Sequence, residues 1–217
     1  MRRQLTQQEQ APILEVTNLG CVRGDRRLFS GLSFSVQPGQ WIQVTGPNGC
    51  GKTSLLRMIC GLLEPAEGSI KWQGENIRAL REEYNAKLSY LGHRNGLKDE
   101  LTSLENLRCS SGLSGIEVSD KAAASSLQEI GLEGRLHLPS RLLSQGQRRR
   151  LALARLGLAG TVLWVLDEVL TSLDQAAIAL VRSLIIRHLD NGGMAIVATH
   201  QDLDLSAGNL QRIELSL

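Results

Sequence analysis

The stretch GPNGCGKT, residues Gly46–Thr53, decides the fold. It matches the pattern G-x-x-x-x-G-K-[ST] at every fixed position, follows the strand-like run WIQVT (41–45) and opens the helix-like run SLLRMICGLL (54–63). A strand, a glycine loop and a helix in that order build a site for phosphate. Gly46, Gly49 and Gly51 permit a tight loop whose N–H groups turn inward, toward anionic oxygens at the positive end of the helix dipole. Lys52 brings a point charge toward the β- and γ-phosphates, and the Thr53 hydroxyl stands where it can ligate Mg²⁺.

Upstream of the loop, ILEVTNL (13–19) and LFSGLSFSV (28–36) alternate apolar and polar residues around the turn GDRR (24–27), which predicts an antiparallel sheet. Arg23, just before that turn, could project toward the glycine loop or be a solvated turn arginine. Downstream, PAEG (65–68) reads as a turn, SIKW (69–72) as a short strand with QGENI returning, and LSYLGH (88–93) as a buried strand whose polar end, His93, faces a ligand crevice. Thr102 and Glu105 form a capping box that starts a helix near Ser103. Helical spacing then dominates to about residue 159, so 96–158 reads as a helical subdomain inserted into the strand-helix core 13–95 and 159–217. The core resumes with VLWVLDE (162–168), a helix over 176–189, the strand MAIVATH (194–200) and a closing strand over 210–217. The fold class is α/β with a largely parallel sheet.

Three further segments carry chemistry. Asp167 ends the strand VLWVLDE where it can hold Mg²⁺ opposite Thr53; Glu168, pointing to another side, can polarise an attacking water. Taken without the glycine loop, the two acids would read as an ordinary strand end. In LSQGQRRR (143–150), Ser144 can cap a helix start and Gly146 lets the backbone approach an anion. Arginines 148–150 lie in the first turns of that helix, against its dipole, so an anionic neighbour is expected. His200, at the end of MAIVATH, could contact a terminal phosphate or serve structure alone; Asp174 in SLD (172–174) could be a plain N-cap or orient a partner's groups.

Composition excludes several classes. With 24 basic and 22 acidic residues the net charge is +2, which implies no polyanion partner, and 3% aromatics argue against base-stacking surfaces. Nucleic acid is therefore not an expected partner. Cys21, Cys50, Cys60 and Cys109 lack C-x-x-C spacing and fit a reducing, cytosolic setting. No C-x-x-C-H occurs, so direct haem binding is not expected. Residues 1–12 hold two arginines without an apolar core and read as a flexible leader rather than a signal peptide. No run reaches the ~18 apolar residues that span a bilayer.

GPNGCGKT, LSQGQ, VLWVLDE, SLD and His200, in this order and spacing, resemble the ATPase domain of ABC transporters over residues 13–217. More narrowly, YLGHRNGLKDELTSLENL, WQGE, LSQGQRRRLALARL and ATHQDL resemble the ATP-binding subunits of bacterial haem exporters that serve cytochrome c maturation. The resemblance implies a P-loop NTPase core and a head-to-tail dimer that sandwiches two ATP molecules with Mg²⁺. Gly46, Pro47, Asn48, Gly49, Cys50, Gly51, Lys52, Thr53 and Ser54 would hold one nucleotide, with Arg23 beside its base. Ser144, Gly146 and Gln147 of a second copy would cover the γ-phosphate. Glu168 would be the general base, with Lys52 and His200 on the γ-phosphate, and Thr53, Asp167 and His93 would form the metal set. Hydrolysis would drive integral membrane subunits of the exporter from the cytoplasmic face of the inner membrane.

Four positions depart from the wider family. His93 stands where glutamine is usual, although the narrower family shares the histidine; Arg23 replaces an aromatic residue, Val169 a proline and Cys50 a serine. The loop N–H groups would make the Cys50 thiol reactive when the site is empty. Alternatives are an ATPase of another small-molecule or lipid exporter, a soluble ABC protein without transport, and a regulatory module without turnover. The intact Glu168 argues against the last of these.

Overall fold

The structure, a computed structural model, describes residues 13–200, 203, 205 and 207–216. The leader expected over 1–12 lies outside them, as do Gln201 and Asp202 of ATHQDL. Period-2 alternation makes β1 (Leu14–Arg23) and β2 (Arg26–Val36) an antiparallel pair that runs from Leu14 opposite Val36 to Arg23 opposite Arg26, with register shifts between Val16 and Val22. β3 (Gln40–Thr45) leads through the glycine loop into α1 (Lys52–Ile59). β4 (Glu67–Trp72) then returns to β1, and β5 (Glu75–Asn76) completes a sheet of order β2-β1-β4-β5. The turn expected over PAEG is partly strand, because β1 continues past an irregularity after Thr17 and its Gly20 pairs with Glu67. Two short helices that the spacing did not announce follow, α2 (Ile77–Leu80) and α3 (Glu82–Asn85). Buried Tyr84 anchors the second by donating its hydroxyl to the Ile59 carbonyl at 2.7 Å.

The second sheet contains β3 with β6 (Leu88–Leu91), β7 (Leu163–Asp167), β8 (Met194–Ala198) and β9 (Asn209–Glu214). Its order is β6-β7-β8-β3-β9 and every neighbouring pair is parallel. Successive residues of its inner strands serve different cores. Leu163, Val165, Ile196, Ala198, Ile42 and Val44 join α1 and the antiparallel sheet in one cluster. Trp164, Leu166, Ala195, Val197 and Trp41 join the opposite layer, α6 (Gln145–Ala159) and α7 (Gln175–Asp190). Each fully buried Leu, Ile or Val here contributes roughly 1.5–3 kcal/mol, and both sheet faces are covered as a parallel sheet requires.

Between β6 and β7 the chain is helical, as the periodicity predicted. α4 (Ser103–Leu113) starts at the Thr102–Glu105 capping box, with both reciprocal hydrogen bonds present. α5 (Asp120–Glu129) starts at Ser119, and α6 at Ser144. These helices share a separate core of Leu107, Ala123, Leu127, Leu143, Leu151 and Ala154. Among the described residues no helix is long and apolar enough to cross a membrane.

Candidate nucleotide site

The carboxyl ends of β3, β7 and β8 lie side by side, since β8 pairs with both β3 and β7. That adjacency brings together Gly46–Ser54, Asp167–Glu168 and His200. Glycine is required at two points of the loop. Gly46 has φ 139°, and a Cβ there would fall 2.2 Å from the Leu215 carbonyl oxygen. Gly51 has φ 109°, would meet the Phe29 ring at 3.0 Å, and caps α1 without a side-chain hydrogen bond. The first N–H groups of α1 are thus left for an anion, with the positive end of the dipole behind them.

Polar side chains close the loop from the far side. Lys52, buried, donates to the Gly46 and Pro47 carbonyls at 2.7 and 3.2 Å. His200 Nε2 lies 3.2 Å from Lys52 Nζ, 2.9 Å from Asn48 Oδ1 and 3.2 Å from Glu168 Oε1. One ring nitrogen faces one donor and two acceptors, so it can satisfy only one side at a time. Such a cluster is ready to rearrange around an incoming ligand. Glu168 has φ 52°, a left-handed conformation that costs a non-glycine residue about 1–2 kcal/mol; its N–H donates to the Ala198 carbonyl at 2.9 Å.

The Thr53 hydroxyl donates to Asp167 Oδ2 at 2.9 Å, while Asp167 Oδ1 is buried without a hydrogen-bond partner. Two hard oxygen donors side by side, one with an unused lone-pair face, fit a divalent cation of the Mg²⁺ kind. His93 is not joined to this pair: it follows β6, is exposed, and lines a neighbouring cleft with Asn95, Gln145, Arg148, Arg149, Glu168, Thr171 and Ser172. Among the described residues no group of three or more His, Cys, Asp or Glu could hold a metal by itself. Any Mg²⁺ here would complete its shell with phosphate oxygens and water, as this ion commonly does.

Ser144, Gly146 and Gln147 form the start of α6. The Ser144 hydroxyl accepts from the Gln147 N–H at 3.2 Å, and Gln147 Oε1 accepts from the Ser144 N–H at 2.9 Å. None of the side-chain hydrogen bonds found for Gly46–Ser54 among the described residues reaches this segment. Arg23 lies exposed at the end of β1. Asp174 is an N-cap, accepting from the Ala177 N–H at 2.8 Å.

Two expectations change. Of the arginines at 148–150, only Arg148 has the expected anionic neighbour, and the other two are held by neutral acceptors of the same chain. Arg148 pairs with Asp99, Arg149 is buried against carbonyl oxygens, and Arg150 donates to the Ile130 and Gly131 carbonyls at 3.2 Å. Cys50 does not present its thiol to the site, since it is fully buried under the loop. Only its backbone can face a nucleotide. Burial also pushes the Cys60 thiol up to about 12, with the Asp167 charge adding to it, and raises Cys21 against an opposing Ser54 hydrogen bond.

Sequence reasoning missed Asn106, and for Arg149 it missed the acceptors on other elements. Asn106 is buried and stitches the preceding loop, donating to the Lys98, Leu101 and Thr102 carbonyls at 3.0 Å and accepting from the Lys98 N–H at 2.8 Å. An asparagine just inside a capped helix was the available signal.

The sequence pattern of the family described as ABC transporter matches residues 29–171. The chain is 54% identical to the cytochrome c biogenesis ATP-binding export protein CcmA of Nitrosospira multiformis, over 94% of this chain and 100% of that protein. It is 52% identical to the protein of the same description from Nitrosomonas europaea, over 94% and 96% of the two chains. Among solved structures, a putative ABC transporter ATP-binding protein from Pyrococcus furiosus superposes with a TM-score of 0.81 at 25% identity, covering 92% of this chain and 96% of that one. The strand order, the loop geometry and these likenesses agree: the chain belongs to the ABC transporter family, as an ATPase of the cytochrome c biogenesis ATP-binding export group.

Proposed function

We propose that this chain hydrolyses MgATP at a site shared between two copies of itself and uses the cycle to drive the integral membrane subunits of a haem exporter in cytochrome c maturation. The observation that carries the reading is the junction of the glycine loop with Asp167, Glu168 and His200, together with the separate capped helix start Ser144–Gln147. The N–H groups of Gly46–Ser54 bind the phosphates, and Lys52 exchanges the Gly46 and Pro47 carbonyls for phosphate oxygens. Thr53 and Asp167 hold Mg²⁺, which when bound neutralises charge on the phosphate oxygens. Glu168 accepts a proton from the attacking water as its oxygen bonds to the γ-phosphorus and the bond to the β–γ bridging oxygen breaks.

His200 contacts the γ-phosphate in place of Asn48 and Glu168 and so registers its presence. Ser144, Gly146 and Gln147 of the second copy cover that phosphate at a helix N-terminus. Loss of the phosphate removes the bridge and the dimer opens. Residues 96–158 act as a subdomain, and segment 93–110 meets the membrane subunits through its exposed residues, holding the chain to the cytoplasmic face of the inner membrane. His93 lines the cleft beside Glu168 and takes a place there rather than on the Thr53–Asp167 pair. The process served is the release of haem-loaded chaperone, with haem itself handled by other chains. Isolation of the chain from membranes tests this. Recovery with cytochrome c maturation subunits and MgATP hydrolysis is expected; recovery with another exporter or with ribosomes contradicts it.

A further inference from the structure

Arg149 is buried on α6, and the chemistry described above gives it no task. Its guanidinium makes hydrogen bonds to neutral acceptors on two segments. Nη2 donates to the Asp167 carbonyl at 2.8 Å and Nε reaches the Val169 carbonyl at 3.4 Å. Nη1 donates to the Gly92 carbonyl at 2.8 Å and to Asn95 Oδ1 at 2.9 Å. Burial lowers its pKa from the usual arginine value, and the nearby charges of Asp167 and then Glu168 oppose that loss.

The acceptors on β7 and just beyond it flank Glu168. Glu168 has the left-handed φ of 52°, a state that a non-glycine residue leaves unless its surroundings hold it there. Its N–H donates to the Ala198 carbonyl at 2.9 Å and its own carbonyl accepts from the Thr171 N–H at 3.3 Å, while the carbonyls of the residues on either side, Asp167 and Val169, accept from Arg149. We propose that Arg149 is the positioning residue for Glu168: its planar fork fixes the carbonyls of Asp167 and Val169 on either side of the base and ties them to the Gly92–Asn95 segment that carries His93. A lysine cannot substitute, because a single ammonium lacks the rigid fork that serves acceptors on two segments at once. Arg148 and Arg155 hold the chain just beyond the Gly92–Asn95 segment, through Asp99 and the Gly96 carbonyl.

The inference rests on Glu168 as the base, and the test separates the two. In the full chain with MgATP, kcat, KM and nucleotide binding are measured for Arg149→Lys, Asn95→Ala, the double variant and Glu168→Gln. Misplacing the base should lower kcat of Arg149→Lys by about 100-fold, with KM within about threefold of the parent. Asn95→Ala, which removes one acceptor, should lower kcat by about tenfold and add little on the Arg149→Lys background, since both act through one group.

A purely structural arginine would instead lower Tm and the amount of binding-competent chain while leaving kcat per competent chain unchanged. That result, or additive effects in the double variant, overturns the positioning role. If Arg149→Lys does not fold, Asn95→Ala decides alone, and an unchanged kcat overturns the role. Glu168→Gln at the parent rate would overturn the base assignment itself; an inactive Glu168→Gln beside a full-rate Arg149→Lys would overturn positioning only.

Discussion

Around Gly46–Ser54, polar side chains from distant parts of the chain meet one another: Thr53 meets Asp167, Lys52 and Asn48 meet His200, and His200 meets Glu168. At Ser144–Gln147 the two polar side chains close on their own helix terminus instead. The first region is a pocket assembled by sheet order and crowded with partners that can be exchanged. The second is a capped helix end that, among the described residues, the side-chain hydrogen bonds of the first region do not reach. A site of the first kind can bind a charged ligand alone, whereas a helix end of the second kind has a task only when a ligand is brought to it.

Breaking each half should therefore give a different signature. Glu168→Gln should reduce turnover by about 10²–10⁴-fold, the range for loss of a general base, and leave nucleotide binding intact. Parent-like hydrolysis would contradict the role given to the first half. Ser144→Arg should reduce turnover by about 10²–10³-fold, as loss of a phosphate-facing donor does, while a single chain still binds nucleotide with parental affinity. Its helix should lose about 1 kcal/mol of cap stabilisation, visible as a small fall in Tm. Weakened binding in dilute single chains would show instead that Ser144 acts within its own subunit.

Gly46→Ala distinguishes the halves by stability. Its Cβ would collide with the Leu215 carbonyl in a backbone conformation that alanine rarely adopts, costing about 1–3 kcal/mol. Nucleotide binding should be lost with it. Gly146 has more room, since a Cβ there would sit 3.1 Å from the Ser172 carbonyl, so Gly146→Ala should destabilise less in thermal unfolding.

The smallest expected effect lies outside both halves. His188 stacks on Trp164 with ring centroids 3.8 Å apart and hydrogen-bonds through Nε2 to the Met194 carbonyl. Burial lowers its pKa, only partly offset by backbone hydrogen bonds. The unfolded chain then binds the proton more readily than the folded one, so stability rises with pH through this window. The contribution is fully present above about pH 6.5, the unfolded value, and fades as pH falls toward the folded value. Tm should drop on acidification below about pH 6.5, and less so in His188→Phe; equal slopes would contradict the assignment.

The first half was legible in the sequence because its residue types are dictated by phosphate chemistry and its flanks by period-2 and helical patterns. The apolar run before Asp167 and Glu168 marked a buried strand end, and the glycine loop gave the two acids their functional meaning. Long-range partners were not legible. Arginines 148–150 looked like unbalanced charges at a helix start, because the acceptors that satisfy them, Asp99 and the carbonyls of Gly92, Asp167, Ile130 and Gly131, come from other elements. Cys50 looked reactive because the loop N–H groups surround it, but its side chain is buried in the core while its neighbours Asn48 and Gly49 are exposed. His93 follows β6, which pairs with β7 up to Leu91 and Leu166, and lines the cleft beside Glu168.

The central claim is that neither half suffices within one chain. The direct measurement is the ATPase rate per chain at saturating MgATP over a wide dilution series of the purified protein. The rate per chain should fall on dilution while nucleotide binding per chain stays constant. A rate per chain that remains constant to the highest dilution would contradict a site completed by a second copy.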